Sequence, residues 1–285
     1  MVSQNKSINI DHLSSWIGRE ENVSDVISLD LVNKFRATIG LPMQDTAVGQ
    51  AVPRLLHFCL AQPVLPADML GGDGHPKKGG FLPPVPLPRR MWAGGSLEFN
   101  GDLRVGDTVT RKSTIADLKV KEGRTGTLCF VTVDHNVMVG EQSILSERQN
   151  IVYREEDTGT SAKKELPVAE NGQHQRMIVP TSTLLFRYSA LTFNGHRIHY
   201  DRPYAIEVEG YDGLVVHGPL QATMMLHFAA ELYGKEPDKF TFRGATPLVD
   251  NEPFYLHARE ENGKMQLWTA RKNGPIAMMG EAEWH

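Results

Sequence analysis

A helix followed by several alternating strands occurs twice in this sequence, and that repeated order restricts the fold more than any other feature. In the first half, residues 45–61 (DTAVGQAVPRLLHFCLA) place apolar side chains at helical spacing: Val48, Val52, Leu55, Leu56 and Cys59. In the second half, residues 218–234 (GPLQATMMLHFAAELYG) do the same with Leu220, Met224, Phe228 and Leu232. The sequence therefore predicts one long apolar helix in each half.

Each predicted helix is followed by stretches in which apolar and polar residues alternate, a pattern typical of half-buried β-strands. These stretches are residues 96–120, 126–137 and 146–154 in the first half, and residues 239–260, 264–273 and 276–284 in the second. One helix followed by an antiparallel sheet, twice, predicts an α+β fold made by duplication. Each sheet must twist around its own helix to bury the apolar side chains.

A polar segment separates the two halves. Residues 154–173 (REEDTGTSAKKELPVAENGQ) contain no aromatic residue and show neither strand alternation nor a helical apolar stripe. We interpret this segment as an exposed linker between a first unit, residues 1–153, and a second unit, residues 174–285.

Composition narrows the class of protein. The 285 residues carry a formal net charge of -4, which gives no electrostatic reason to expect nucleic acid or an anionic membrane as a partner. Cys59 and Cys129 lie in apolar stretches and are typical of buried thiols in a reducing compartment. The first residues lack the positively charged and apolar segments of a secretory signal, and no apolar run reaches the roughly 20 residues that span a bilayer. We expect a soluble cytoplasmic protein.

The most unusual loop covers residues 70–95 (LGGDGHPKKGGFLPPVPLPRRMWAGG). Its glycines and prolines oppose regular structure, yet its apolar side chains are too many for a solvated linker. The loop is either a long crossover held by its own side chains or the wall of a binding tunnel. In the second case Lys77, Lys78, Arg89 and Arg90 offer contacts to an anion, and this is the interpretation we favour.

Reactive residues are densest in LTFNGHRIHYD, residues 191–201. His196 and His199 lie three apart, but no third metal ligand follows at a familiar spacing, so we predict no metal. No nucleophile motif is present. A histidine suits proton transfer at neutral pH, an asparagine five residues earlier can hold a water, and the free N–H at Gly218 can stabilise an oxyanion. An ordinary polar turn explains each residue alone, whereas their co-occurrence favours proton chemistry beside a carbonyl.

The spacing Asn194-x4-His199, followed by VVHG and an apolar helix, resembles the MaoC-like hotdog-fold hydratases and dehydratases of acyl thioesters. That family's motif is D-x-N-P-[LIV]-H followed by I-x-H-G, and here the segments read NGHRIH and VVHG. The resemblance implies a double hotdog fold in which long central helices are wrapped by antiparallel sheets. It places the catalytic aspartate position on Asn194, the catalytic histidine on His199 and the oxyanion glycine on Gly218. His196 is then a residue that shapes the turn.

With loop 70–95, the chain is similar to the branch that contains itaconyl-CoA and mesaconyl-CoA hydratases. This implies reversible hydration of a branched dicarboxylic enoyl-CoA to citramalyl-CoA by the second unit, with an acyl-CoA partner, no cofactor and a homodimer allowed. Because asparagine cannot take a proton as aspartate can, we expect His199 to act alone. Substrate-binding candidates are Arg89, Arg90, Arg197 and His217. A 3-hydroxyacyl thioester dehydratase of fatty-acid synthesis and a non-catalytic acyl-CoA-binding protein remain as alternatives.

Overall fold

The computed structural model describes residues 8–123, 126–155 and 166–285. Its helices are α1 (Ile10–Ser14), α2 (Leu29–Ile39), α3 (Ser182–Leu191) and α4 (Gly218–Tyr233). Its strands are β1 (Glu20–Val26), β2 (Arg89–Phe99), β3 (Thr108–Gly123), β4 (Gly126–Val139), β5 (Gln142–Arg154), β6 (His174–Ile178), β7 (Lys239–Gly244), β8 (Phe254–Glu261), β9 (Lys264–Arg271) and β10 (Ile276–Glu283). No helix within these described ranges is both long and apolar enough to cross a membrane.

The ten strands form one antiparallel sheet in the order β1-β3-β4-β5-β2-β7-β10-β9-β8-β6. The first five strands of the chain take the order 1-3-4-5-2, and the last five take the equivalent order 6-8-9-10-7. The equivalent strands β2 and β7 pair in the middle of the sheet, from Gly94 opposite Arg243 to Glu98 opposite Lys239. The sheet topology therefore confirms the predicted α+β duplication.

Helix α4 confirms the apolar helix predicted for the second half. Pro219 sits in its first turn, where a missing N–H costs nothing, and Gly234 ends it in the left-handed conformation (φ 82°). The helix is buried from Leu220 to Ala229 and packs against β7, β8, β9 and β10. Burying one mostly apolar helix under four strands is what fixes the position of its first turn.

The helix predicted over residues 45–61 is wrong. Only Leu56–Cys59 forms a single 3-10 turn there, and Leu55 and Ala61 on either side of it take left-handed backbone conformations (φ 66° and 53°). Leu55, Leu56 and Cys59 are buried as the pattern requires, but Val48 is 79% exposed. Pro53 removes one helical hydrogen bond, so this buried stretch follows an irregular path.

The longer of the two described α-helices in the first half is α2, which the apolar pattern did not reveal. The side chain of Ser28 caps its first turn by accepting from the N–H of Leu31, and Gly40 ends it with a φ of 77°. Val32 and Phe35 are buried, and the helix packs against α3 and α4 rather than lying under a sheet. The two halves are alike in their strands and different in their helices.

The two outermost strands, β1 and β6, were also not predicted. Both lie at an edge of the sheet and neither contains a buried residue, so their sequences lack the alternation that marks a half-buried strand. Loop 70–95 is largely irregular up to Pro88, but β2 begins at Arg89 in spite of the loop's glycines. Residues 156–165 of the predicted linker lie outside the described residues, and the unit boundaries stay predictions.

Candidate active site

A cavity of about 1610 Å³ lies where the two halves of the chain meet. Loop 70–95 contributes one wall, with His75 and Arg90 among its lining residues. The lining also contains Asn194, His199 and Gly218, which are the residues that the sequence motif singled out. The structure thus brings the predicted catalytic residues to one cavity, together with the loop from the first half.

The environment of His199 defines its tautomer. The ring is 7% exposed, and its Nδ1 lies 2.7 Å from the carbonyl oxygen of Val215. Because a carbonyl can only accept, Nδ1 must carry the proton and donate it. Among the described residues, Nε2 has no hydrogen-bond partner, so it is the nitrogen that can take a proton from a ligand.

His217 supports His199 from behind. The two rings stack with centroids 3.6 Å apart and an angle of 18° between their planes. His217 is fully buried, and its Nε2 lies 2.8 Å from the hydroxyl of Ser189. Its ring is not part of the cavity wall, although the sequence made it a substrate-binding candidate. In this structure His217 contacts the ring of His199.

Burial sets the charge of His199. The pKa of His199 is lowered to about 4: removal from water has the largest effect, the hydrogen bond to Val215 opposes it in part, and the charge of the nearby His75 adds to it. Burial also lowers the pKa of His217 well below the usual value, and the charge of His199 adds to that effect. Both rings are therefore neutral at pH 7, and His199 is available as a base.

These shifts predict how stability depends on pH. His199, and the equally buried His227 under Phe35, have folded-state pKa values of about 4 against 6.5 in the unfolded chain. Between these two pH values the unfolded chain binds more protons, so the free energy of unfolding falls as pH drops from 6.5 to 4. We expect a loss of about 3 kcal/mol for each histidine, to be measured by denaturant unfolding at several pH values. An unfolding free energy that stays constant over this window would contradict the assignment.

Asn194 holds the turn that precedes His199. Its Oδ1 accepts from the backbone N–H of His196 at 2.9 Å, an interaction that identifies the oxygen and leaves the amide NH₂ as a donor. The preceding residue, Phe193, takes a left-handed conformation (φ 49°), which turns the chain at this point. Asn194 can therefore donate to a ligand in the cavity while its carbonyl fixes the local backbone.

Gly218 is the first residue of α4. Among the described residues its N–H meets no acceptor, and the positive end of the helix dipole lies at this point. A Cβ added here would lie 2.9 Å from a ring atom of Trp92 in strand β2. The site requires glycine because an aromatic ring from the first half approaches the backbone so closely.

Residues 73–75 of the first half contact residues 194–197 of the second, and we call this contact the seam. A Cβ on Gly74 would lie 1.9 Å from the carbonyl oxygen of Gly195, and a Cβ on Gly195 would lie 2.7 Å from that of Gly74. The backbone N–H of Arg197 donates to the carbonyl oxygen of Asp73 at 2.9 Å. The residues that meet read DGH (73–75) and NGH (194–196), a similarity that was the only signal for the contact in the sequence.

This contact brings His75 to His196, with ring centroids 4.1 Å apart, and His196 lies 5.5 Å from His199. Asp73, His75 and His196 each present one ligand-type atom within 4.8 Å of the others, a spacing that a metal ion could accept. Both oxygens of Asp73 already accept hydrogen bonds from His75, and the charge of Arg90 acts on the same groups. Asp73 and His75 are joined by hydrogen bonds, and the ring of His196 packs against that of His75. His196 thus lies between His75 and His199, and its role in shaping the turn stays a prediction.

The three candidate arginines differ in their partners. Arg89 forms an ion pair with Glu209. Arg197 donates to Asp201 at 2.8 and 2.9 Å and to the carbonyl oxygen of Gly72. Arg90 lines the cavity and has no carboxylate within ion-pair distance among the described residues. Of the three, Arg90 is the arginine that is placed to meet an anionic ligand.

The lysines of the loop hold the backbone. Lys77 donates to the carbonyl oxygen of Asp68 at 2.6 Å. Lys78 donates to the carbonyl oxygens of Val85 and Leu87. The loop is therefore fixed in part by the hydrogen bonds of its lysines, and it also forms a cavity wall.

Solved structures show the same fold. A MaoC-like dehydratase from Phytophthora capsici superposes with a TM-score of 0.70 at 15% identity, covering 98% of this chain and 99% of that one. A Mycobacterium tuberculosis protein described as having a double hotdog fold gives a TM-score of 0.55 at 10% identity, covering 93% and 95% of the two chains. The chain therefore has the double hotdog fold of the α+β class.

Sequence comparison identifies the family. The model of the family described as hydroxyacyl-thioester dehydratase type 2 matches residues 55–250. A protein of Chloroflexus aurantiacus named mesaconyl-C(4)-CoA hydratase is 41% identical over 272 residues, covering 94% of this chain and 96% of the relative. The chain belongs to this MaoC-like hotdog family of thioester hydratases and dehydratases.

Proposed function

We propose that the protein hydrates a branched dicarboxylic enoyl-CoA, mesaconyl-CoA thioesterified at C4 or itaconyl-CoA, to citramalyl-CoA in a reversible reaction. The observation that carries this proposal is that neutral His199 lines the same cavity as Gly218, whose N–H meets no acceptor among the described residues. A base and an oxyanion donor that share one cavity suit addition of water next to a thioester. The identity to a named mesaconyl-C(4)-CoA hydratase supports the same substrate class.

In the proposed mechanism, Nε2 of His199 removes a proton from water while the water oxygen bonds to the β-carbon. The electrons of the double bond move onto the thioester as an enolate, whose oxygen accepts from the N–H of Gly218. The imidazolium of His199 then returns the proton to the α-carbon, and the ring is neutral again. The amide NH₂ of Asn194 donates to the attacking water and holds it in place.

The walls of the cavity support a polar acyl group. Arg90 offers a guanidinium without a carboxylate partner among the described residues. Arg111, Ser113 and His135 from the first half also line the cavity. Mesaconyl-CoA thioesterified at C4 fits addition directly, because its double bond is conjugated to the thioester. Itaconyl-CoA first needs that double bond shifted, which His199 could do as a base.

The family description favours one other function, dehydration of a 3-hydroxyacyl thioester. A cavity of about 1610 Å³ also exceeds the roughly 300–1,000 Å³ of common ligand pockets, so it has room for a longer acyl chain. This second function uses the same His199 and Gly218 in the reverse direction, and it differs in the acyl group.

Incubating the purified protein with mesaconyl-, itaconyl- and crotonyl-CoA, and following the enoyl-thioester absorbance, tests the proposal. We expect the absorbance to fall with mesaconyl-CoA, and with itaconyl-CoA a citramalyl product that mass spectrometry detects. Preference for crotonyl-CoA and longer chains would favour the dehydratase function. No reaction with any thioester, together with tight binding, would favour a non-catalytic acyl-CoA-binding protein.

Asn194→Asp tests the asparagine. The aspartate oxygen can still accept from the N–H of His196, so the turn is kept, but the donor that holds the water is lost and a negative charge is added beside the enolate. We expect kcat to fall about 3- to 10-fold, the value of one hydrogen bond. Asn194→Ala loses both contacts, so its kcat should fall further. A rise in kcat for Asn194→Asp would mean that His199 works better with a carboxylate and that the asparagine is not an adaptation.

A further inference from the structure

Beside His199, the seam presents a guanidinium and two imidazole rings to the cavity. Arg90 and His75 come from the first half, and His196 comes from the second. The one carboxylate in the cluster, Asp73, accepts from the backbone N–H of His75 with one oxygen and from its Nδ1 with the other, both at 3.0 Å. Both oxygens of Asp73 thus orient His75, and Nε2 of that ring has no hydrogen-bond partner among the described residues.

The position of this cluster matches the chemistry of the proposed substrate. In mesaconyl-CoA thioesterified at C4, the free carboxylate is bonded to the β-carbon, which is the carbon that receives water. Any group that binds this carboxylate must therefore adjoin the base. His196 lies 5.5 Å from His199 between ring centroids, and His75 lies a further 4.1 Å away.

The seam is also built to hold these groups still. The Gly74–Gly195 contact leaves no room for a side chain on either residue. The guanidinium of Arg197 donates to the carbonyl oxygen of Gly72, and the backbone N–H of Arg197 donates to the carbonyl oxygen of Asp73. Contacts of this kind fix a loop from one half onto the catalytic segment of the other, which is the preorganisation that a specific anion site needs.

We propose that Arg90, His75 and His196 bind the free carboxylate of the acyl group, with Asp73 orienting His75. This inference rests on the proposed function and adds the residues that select a dicarboxylic substrate. Arg90 supplies the permanent charge, and the two imidazoles supply directed donors. The site joins both halves of the chain, so the first half is part of substrate recognition.

Charge balance predicts that a proton accompanies the ligand. Burial lowers the pKa of His75, and the charge of Arg90 lowers it further, although the hydrogen bond and charge of Asp73 oppose both effects. Burial and the charges of His75 and His199 lower the pKa of His196. Burial raises the pKa of Asp73, but His75 and Arg90 bring it well below its usual range. The groups facing His75 are thus ionised Asp73 and Arg90 and neutral His196 and His199. An added carboxylate leaves this cluster with one excess negative charge, which one proton on a histidine neutralises.

The test uses two saturated analogues that cannot react. Methylsuccinyl-CoA with its free carboxylate on the β-carbon resembles the substrate, and isovaleryl-CoA carries a methyl group in place of that carboxylate. Calorimetric titration should show tighter binding of the first, and titration in buffers of different ionisation enthalpy should show uptake of up to one proton with the first only. Arg90→Met should weaken the binding of methylsuccinyl-CoA about 10- to 100-fold and leave the binding of isovaleryl-CoA unchanged. His75→Gln should reduce both the preference for methylsuccinyl-CoA and the proton uptake.

Arg148→Met is the matched control, since Arg148 is exposed, pairs with Asp134 and lies outside the cavity. Equal weakening of both analogues by Arg90→Met, or equal binding of both by the unaltered protein, would overturn the inference while hydration of mesaconyl-CoA could still be observed. Loss of the preference on chelation and its return with Zn²⁺ would show a bound cation instead and would also overturn it. Carboxylate preference in a protein that hydrates none of the three enoyl-CoA substrates would sink the proposed function and leave the anion site standing.

Discussion

Replacing His199 by glutamine should lower kcat for hydration by about 10²- to 10⁴-fold, the range that removal of a general base typically gives. The glutamine amide can still donate to the carbonyl oxygen of Val215, so the contact that holds this side chain is kept. What is lost is the Nε2 lone pair that takes the proton from water. Single-turnover measurements with mesaconyl-CoA should show the loss in the chemical step, and binding of methylsuccinyl-CoA should change little.

His227 offers a matched control for this substitution. It is also buried, its pKa is also lowered to about 4 by burial, and its Nε2 lies 3.0 Å from a backbone carbonyl oxygen, that of Arg54. It lies outside the cavity. His227→Gln should therefore cost stability to a similar extent while kcat stays near that of the unaltered protein. Near-normal hydration by the His199→Gln protein would remove His199 from the mechanism.

The acyl-thioester motif was found from sequence because its parts are close along the chain. Asn194 and His199 lie in one turn, and the carbonyl oxygen of Val215 that fixes His199 precedes Gly218 by three residues. Helix α4 was predictable because its apolar spacing agrees with Pro219 at its start and Gly234 at its end. The apolar spacing and the residues that begin and end the helix indicate the same element here, and such agreement makes a sequence prediction reliable.

The first-half helix was mispredicted because apolar spacing alone reports burial. Leu55, Leu56 and Cys59 are buried at helical spacing, yet the backbone around them takes left-handed conformations that no periodicity reveals. The breakers Gly49 and Pro53 lie inside the predicted helix and argued against it. Edge strands β1 and β6 were missed for the converse reason, because they contain no buried residue to create a pattern.

The seam at residues 73–75 was beyond local reasoning. Asp73 and Arg197 are more than a hundred residues apart, and their backbone hydrogen bond depends on how the two halves of the sheet pair at β2 and β7. The only indication in the sequence was the similarity of the tripeptides DGH (73–75) and NGH (194–196). From the sequence, His196 was considered only as a metal pair with His199, whereas the structure pairs His196 with His75 across the seam.

Gly74→Ala should have a large effect on activity, because it forces the two halves of the site apart. Gly74 has a φ of 88°, and a Cβ there would lie 1.9 Å from the carbonyl oxygen of Gly195, a backbone atom that cannot turn aside. Either loop 70–95 or the Asn194–His199 turn must move. The hydrogen bond between Arg197 and Asp73 (2.9 Å) would then lengthen or break. We expect kcat/KM for mesaconyl-CoA to fall about 100-fold, as displacements near 1 Å typically cause.

Gly49→Ala separates the clash from the backbone strain. Gly49 has nearly the same φ, 85°, but a Cβ there meets nothing within 4 Å, and the residue lies outside the cavity. Both substitutions cost about 1–2 kcal/mol for a left-handed alanine, so this term cancels when the two variants are compared. Gly74→Ala should lose further stability and most of its activity, whereas Gly49→Ala should keep kcat/KM within about threefold of the unaltered protein, the scatter expected for a site away from the chemistry. Equal behaviour of the two variants would mean that close contact between the DGH and NGH segments is not needed for catalysis, and that the first half does not help to position His199.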